Sequence, residues 1–245
     1  MHSEAHADPV GFETLEIFSE TPAINRWTFE KINGFIQGEI LEIGSGIGNI
    51  SGLLLAKHRS VYLSDLRQEY NQSLKKKFDN HPHLQGIYLL DLTLPDFKIH
   101  YTDLLEKFDT VIALNVIEHI QDDRRAIENA CALLRSGGRL VVLVPAIPGL
   151  YNSLDLHLSH FRRYSKKALR ELLEGTGLGS LDFRYHNAAA IPGWWLSGSL
   201  LKEERITPVK LRFFNRLVPL FRFLDWLVSP FTGISLIASG IKNIN

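Results

Sequence analysis

Residues 39–51, EILEIGSGIGNIS, hold glycine at alternate positions from Gly44 to Gly48, directly after an apolar run. A glycine-rich turn between a strand and a helix lets a ligand lie against the backbone. The dinucleotide fingerprint needs glycine at its sixth position, where this turn has Asn49, and a P-loop needs a lysine, which the turn lacks. The carboxylate of Glu42 would repel a pyrophosphate, so it favours a ligand with an ammonium or sulfonium group.

Two more carboxylates follow apolar runs, because Asp65 ends SVYLSD and Asp91 ends GIYLLD. The carboxyl ends of parallel strands meet at one edge of a sheet, so we expect both acids near the glycine turn. Asp65 could accept the two hydroxyls of a ribose. Asp91 could accept a hydrogen bond from an adenine amino group, with Leu92 packed on the ring. Each Asp also fits a helix cap or a turn, but the three acids together favour a nucleoside-containing cofactor.

Histidine is the side chain best suited to remove a proton near neutral pH, and His119, His157 and His160 all follow predicted strands. Residues 155–164 concentrate polar side chains and predict a substrate-facing loop with a histidine base and cations for an anionic group. The residues of this loop that we expect to bind substrate are Arg162, Arg163 and Tyr164. The alternative is a helix-capping and salt-bridge region. The three-residue histidine spacing lacks a second pair of ligands, so we expect no metal site.

Short apolar runs alternate with helix-period segments, which is typical of βαβ units and a parallel sheet. The pattern predicts strands at 39–43, 60–65, 86–91, 108–115, 139–146, 178–187 and 233–243. It predicts helices at 22–36, 49–57, 66–78, 121–135 and 165–177. Gly137 and Gly138 are expected to end the fourth of these helices.

The last two predicted strands are separated by an aromatic-rich helical insertion, residues 193–230. One domain is expected, with an N-terminal helical segment at 1–37, a core at 38–192, the insertion, and the final strand at 231–245. Within the insertion, helices should open at Pro208 and near Pro219, which should break or kink the chain. The insertion could be a helical layer against the sheet, a lid that contacts substrate through Trp194 and Trp195, or a membrane-surface segment over 205–230.

Composition narrows the class of protein. The 245 residues balance 27 basic against 27 acidic side chains, which argues against a nucleic-acid partner. A single cysteine fits a reducing compartment. Neither a signal peptide nor an apolar run long enough to cross a membrane is visible, so we expect a cytoplasmic protein of unknown oligomeric state.

The ordered set LEIGSGIGN, Asp65, Asp91, LNVIEHI and LLRSGGRLVVLVP resembles the class I S-adenosylmethionine-dependent methyltransferases. The nearest group is the small-molecule one that includes ubiquinone-type enzymes, and the resemblance covers about residues 22–187. It implies a Rossmann-like α/β fold, a doubly wound, seven-stranded and mostly parallel sheet with an antiparallel last strand. The family joins its last two strands almost directly, so the insertion and the substrate lie outside the resemblance.

The resemblance also implies roles for individual residues toward S-adenosylmethionine. The residues expected to contact the cofactor are Glu42, Gly44, Ser45, Gly46, Gly48, Asp65, Leu66, Asp91, Leu92, Asn115 and Val116. The expected function is methyl transfer to a small or lipid-like molecule, chiefly to oxygen. The alternative is a catalytically silent scaffold or sensor that only binds S-adenosylmethionine. A nicotinamide oxidoreductase is disfavoured by Asn49 and Glu42.

Overall fold

The computed structural model describes residues 9–243, and its centre is one seven-stranded sheet in the order β3-β2-β1-β4-β5-β7-β6. Strands β1 to β5 pair in parallel, whereas β7 is antiparallel to both β5 and β6. This is the fold class expected from the sequence. The strands are β1 Ile40–Ile43, β2 Val61–Asp65, β3 Leu84–Leu89, β4 Phe108–Leu114, β5 Leu134–Pro145, β6 Leu178–His186 and β7 Ser235–Lys242.

Helices cover both faces of the sheet. They are α1 Pro9–Ser19, α2 Pro22–Asn33, α3 Ser51–Lys57, α4 Gln68–Phe78, α5 Phe97–His100, α6 Asp123–Leu133, α7 Ser153–His157, α8 Lys166–Glu174, α9 Ala190–Trp194 and α10 Pro208–Val228. A π-helical segment, Trp195–Leu200, continues α9. Short 3₁₀ turns lie at Thr102–Leu104, Ile117–His119 and Pro148–Leu150. Within residues 9–243, no helix is both long enough and apolar enough to span a bilayer. A cytoplasmic location stays a prediction.

Alternate side chains of the central strands serve two cores. In β4, Val111 and Ala113 belong to the core on one face of the sheet, and Ile112 belongs to the core on the other. All three are fully buried. Strands covered on both faces need apolar residues at every position, which explains why these strands read as continuous apolar runs.

The expected end of one helix is wrong. Helix α6 ends at Leu133, not at residue 135, and β5 follows at once. Gly137 and Gly138 lie in an irregular part of β5, where the register against β4 shifts. The left-handed φ of +75° at Gly137 suits glycine, but it serves this strand irregularity rather than a helix end.

The insertion also differs from its prediction, because α10 is one helix that runs through Pro219. Its inner face packs on α2 and not on the sheet, with Val218 buried against Trp27. The Oδ1 atom of Asn215 accepts the backbone N–H groups of Ala23 and Ile24 at 3.0 and 3.1 Å, so α10 caps the start of α2. These contacts outweigh the hydrogen bond that a proline removes.

The division into four segments stays a prediction, because the fold gives no independent test of those bounds. Residues 1–8 of the N-terminal segment and residues 244–245 of the final segment lie outside the described part of the chain. The N-terminal segment also contains α1, a helix that the sequence patterns did not predict.

Candidate active site

The glycine turn lies at the carboxyl end of β1, in the middle of the parallel part of the sheet. Gly44, Gly46 and Gly48 all have φ values between +52° and +83°. L-residues with side chains rarely adopt such values, so the turn requires glycine for its own shape. A Cβ at Gly44 would also collide with the side chain of Val116, which follows β4. The ends of β1 and β4 therefore meet, as the sequence predicted.

Glu42 lies in β1 with its side chain buried beneath the turn. Its Oε2 atom accepts a hydrogen bond of 2.5 Å from the Ser51 hydroxyl at the start of α3. Burial raises the pKa of Glu42 to about 7, although hydrogen bonds from Ser51 and Ser45 partly oppose this. The side chain is therefore half protonated at neutral pH. A cation beside it would favour the ionised form.

Asp65 ends β2 and shapes the same turn. Its Oδ2 atom accepts the Gly46 N–H at 2.9 Å, and its Oδ1 atom accepts the Arg67 N–H at 3.0 Å. Burial raises the pKa of Asp65, and these backbone N–H groups partly offset the effect. Leu66 beside it is exposed. A carboxylate that already holds the turn can also accept ribose hydroxyls through its remaining lone pairs.

The other expected cofactor residues lie at neighbouring strand ends. The Oδ1 atom of Asp91 accepts the backbone N–H and the hydroxyl of Thr93, and Leu92 is buried in the core. Asn115 is exposed and has a left-handed φ of +53°, a conformation that Asn tolerates better than most residues. Asp91 therefore also stabilises a local turn, which was the alternative to a role in adenine binding. Leu92 presents little surface to a ligand.

Helix α1 covers the glycine turn, which sequence reasoning missed. A Cβ at Gly46 would lie 2.8 Å from Leu15 of α1, and the Asn49 amide donates to the Leu15 carbonyl at 2.9 Å. The available signal was the spacing of Phe12, Leu15 and Phe18 at intervals of three residues. The neighbour above Gly46 is therefore a helix of the same chain, and a ligand must share this space with it.

Two of the three candidate histidines meet, and the third does not. The rings of His119 and His160 pack edge to face with their centroids 4.7 Å apart. The Nδ1 atom of His160 lies 2.9 Å from Oδ1 of Asp155, which is fully buried. His157 instead lines a small cavity between α1 and residues 204–206. The geometry therefore separates two histidines that the sequence left equivalent.

Arg163 holds the carboxylate of Asp155 from the other side. Its Nε atom donates to both carboxylate oxygens at 2.9 Å, and its Nη1 atom donates to the Ala146 carbonyl. Burial alone would raise the pKa of Asp155, but hydrogen bonds from His160 and Arg163 keep it below its ordinary value. Arg163 also lies over the Trp194 ring, 4.7 Å from its centroid. Asp155 therefore stays ionised beside His160.

The remaining loop residues are already engaged. Arg162 and Tyr164 both bind Oδ2 of Asp123, at 2.7 and 2.8 Å. Trp195 is half exposed. With Arg163 buried in its ion pair, these contacts are those of the capping and salt-bridge alternative. Binding of an anionic substrate group by this loop stays a prediction.

Glu118 is a further buried acid that sequence reasoning did not offer as a site residue. Its side chain is 0% exposed, and neither carboxylate oxygen has a hydrogen-bond partner among the described residues. Burial raises its pKa to about 8, so it is protonated at neutral pH. The signal was its place in NVIEHI, directly after β4 and beside His119.

Glu118, His119 and His160 form a group whose ligand atoms lie within 4.8 Å of one another. The three-residue spacing of His157 and His160 gave no sign of this group, because Glu118 and His119 come from a different strand end. Ligands of a tetrahedral zinc ion lie about 3.4 Å apart, so the side chains would have to approach before they could hold one. The expectation of no metal stays a prediction.

The family follows from a comparison with known domains. A family model described as a methyltransferase domain matches residues 23–181, which include the glycine turn, the strand-end acids and the His160 loop. This chain belongs to that methyltransferase family. Membership confirms the family, the class of enzyme and the S-adenosylmethionine cofactor that the motifs predicted.

Individual relatives are distant. A ubiquinone biosynthesis O-methyltransferase of Coxiella burnetii is 30% identical over 101 residues, which are 41% of this chain and 41% of that protein. The chain thus spans about two fifths of the length of such curated relatives. A solved S-adenosylmethionine-dependent methyltransferase from Archaeoglobus fulgidus has a TM-score of 0.62 at 14% identity, and covers 95% of this chain and 99% of its own. That likeness shows the fold alone.

The residues present fit S-adenosylmethionine. A turn of three left-handed glycines lies beside a buried carboxyl at Glu42, and Asp65 lies at the neighbouring strand end. Glu42 would face the ammonium group of the methionine part, and Asp65 the ribose. Leu15 of α1 lies on Gly46 and would have to move for the cofactor to reach the turn.

Proposed function

We propose that this chain transfers a methyl group to a hydroxyl of a small or lipid-like molecule, with His160 as the base. The observation that carries the proposal is the bond between His160 and the buried Asp155, which Arg163 holds in turn. A histidine that donates Nδ1–H to an ionised carboxylate presents Nε2 as a proton acceptor. Asp155 also stabilises the imidazolium that forms.

When bound, S-adenosylmethionine supplies an electrophilic methyl carbon on its sulfonium. The protein has to align the hydroxyl with that carbon and remove its proton. His160 follows β5, and His119 beside it follows β4, so both side chains stand at the sheet edge that carries the glycine turn. The neutral carboxyl of Glu118 beneath them adds no second negative charge to the site at pH 7.

The choice of oxygen has two supports. First, a hydroxyl keeps its proton at neutral pH and therefore needs a base such as His160 before it can be methylated. Second, the name of the Coxiella burnetii relative states O-methylation for that protein. The exposed apolar side chains of the insertion support an amphipathic substrate. The peripheral membrane contact expected through 205–230 belongs to the same proposal.

A panel of phenols, catechols, amines and activated carbon acids, supplied with methyl-labelled S-adenosylmethionine, tests the proposal. We expect label on oxygen, and a loss of about 10²–10⁴-fold in turnover for His160→Ala with cofactor affinity retained. His157→Ala is the matched control, because the same loop carries it toward a different cavity. Near-normal turnover of His160→Ala on an accepted hydroxyl substrate would refute the assignment of the base.

The alternative of a silent cofactor-binding scaffold has one observation in its favour, the cover of α1 on the glycine turn. It predicts S-adenosylmethionine binding without formation of S-adenosylhomocysteine on any substrate of the panel. Binding by calorimetry combined with turnover in the same preparation decides between the two functions.

A further inference from the structure

We infer that the outer face of α10 binds an anionic membrane surface. This inference extends the membrane contact included in the proposed function, and it holds whether or not the chain transfers methyl groups. The helix has 21 residues and therefore extends about 30 Å, long enough to lie along a bilayer surface.

Helix α10 is apolar on two opposite faces. The inner face consists of Leu211, Phe214, Val218 and Phe221, which pack against α2. The outer face consists of exposed apolar residues that recur at intervals of three, four or seven. They are Val209, Phe213, Leu220, Leu224 and Leu227. A helix that only covers α2 needs the first face and not the second.

Large aromatic side chains extend this outer face. Phe213, Phe223 and Trp226 are 66, 63 and 71% exposed, and Phe231 just after the helix is 81% exposed. Aromatic side chains with little burial are unusual on the surface of a monomer, and they are the residues enriched where proteins meet the membrane interface.

The charges of α10 select an anionic surface. The helix carries the cations Lys210, Arg212, Arg216 and Arg222, and its one acid, Asp225, is buried. Three of the cations form ion pairs, Lys210 with Glu203, Arg212 with Glu20 directly after α1, and Arg222 with Glu30 of α2. Among residues 9–243, Arg216 has no carboxylate within 4.0 Å, and it lies in the middle of the outer face.

A groove beside this face adds a place for a lipid head group. It lies between α2 and α10, has a volume of about 520 Å³, and combines apolar and cationic side chains. Its lining residues are Pro22, Ala23, Arg26, Val218, Pro219 and Arg222. Arg26 and Arg222, of which Arg222 also pairs with Glu30, lie next to an apolar floor, and this combination matches a phosphate head group with its acyl chains.

A second copy of the chain fits this face less well. In a two-fold interface the same patch meets itself, so pairing of α10 with its symmetry mate would bring the central Arg216 of each copy together. An anionic lipid surface has no such repulsion. It also accepts the apolar side chains without needing a matching shape.

Sedimentation of the full chain with vesicles tests the inference. We expect binding to phosphatidylcholine vesicles that contain phosphatidylglycerol, little binding to phosphatidylcholine alone, and weaker binding as salt rises. The combined variant Phe213→Ser, Phe223→Ser and Trp226→Ser should lose tenfold or more in affinity. Arg216→Gln should lose about fivefold. The matched control is Leu89→Ser with Ile99→Ser, which removes exposed apolar side chains outside the insertion and should bind as wild type.

Three outcomes would overturn the inference. They are absence of sedimentation with either vesicle, equal loss in the control variant, and a concentration-dependent dimer that the triple variant abolishes without any vesicle binding. Production of S-adenosylhomocysteine, measured without vesicles, reports on the proposed function separately. Failure of one proposal therefore cannot be mistaken for failure of the other.

Discussion

The pKa of Glu42, about 7 in the free protein, makes a quantitative prediction for cofactor affinity. If the ammonium group of the cofactor lies beside this carboxyl, binding requires the ionised form, and the protonated fraction of the free protein weakens binding. The apparent Kd should exceed its limiting value by 1 + 10^(pKa − pH). That factor is about 30 at pH 5.5, about 10 at pH 6.0 and about 2 at pH 7.0.

Calorimetric titration with S-adenosylhomocysteine, the stable product, measures this dependence between pH 5.5 and 7.5. An amino group of the ligand titrates near pH 8, so the range stays below that step. Repeating the titration in buffers of different ionisation enthalpy gives the number of protons released on binding. We expect about half a proton to be released per cofactor bound at pH 7.0. The affinity should therefore rise with pH, because the free protein must lose a proton to bind.

Two variants make the test specific. Glu42→Gln should bind more weakly at pH 7.5 and should lose the pH dependence. Glu39→Gln is the matched control, because Glu39 directly precedes β1 and also bonds to a serine hydroxyl, that of Ser60 at 2.7 Å. The reasoning is refuted by a flat wild-type profile, or by a slope that survives in Glu42→Gln.

Further predictions concern the cofactor turn, the buried acid and the insertion. Asp65→Ala should weaken S-adenosylmethionine binding by about 1–3 kcal/mol, measured by calorimetry, and unchanged affinity would remove Asp65 from the site. Gly46→Leu should abolish binding, because a side chain there displaces Leu15 and distorts the turn, and retained affinity would contradict the role of the turn. Glu118 holds a proton in the folded state up to about pH 8 and loses it near pH 4.5 when unfolded. Stability should therefore fall as pH rises between these values, by about 3 kcal/mol at pH 7, and denaturant unfolding of Glu118→Gln should lack this component. In hydrogen exchange, residues 193–230 should slow with anionic vesicles if they bind a surface, or with cofactor and substrate if they form a lid. Protection that no ligand alters would show that the segment is core.

Much of the sheet was predictable, because parallel strands that are buried on both faces consist of continuous apolar runs, with polar residues where the runs end. The positions of Glu42 and Asp65 follow from that rule alone. The single seven-stranded sheet and the antiparallel β7 came from the resemblance, since no local pattern encodes which distant strands pair.

The rest depended on tertiary contacts. The sequence gives no means to tell His157 from His160, because only the buried Asp155 and the cavity beside α1 separate them. Pro219 reads as a helix breaker, but α10 continues because Asn215 and Val218 anchor it on α2. Arg162 and Arg163, expected to face an anionic substrate group, instead form ion pairs because folding places Asp123 and Asp155 beside them.

Helix α1 contacts both the glycine turn and the insertion. Leu15 rests on the glycine turn, while Glu13 and Glu20 pair with Arg205 and Arg212 of the insertion. A cofactor that displaces α1 must disturb those ion pairs, and a lipid surface that attracts the same arginines must loosen α1. By thermodynamic reciprocity the two ligands would then change each other's affinity by one common factor. The chain would in that case exchange its cofactor differently at a membrane than in solution.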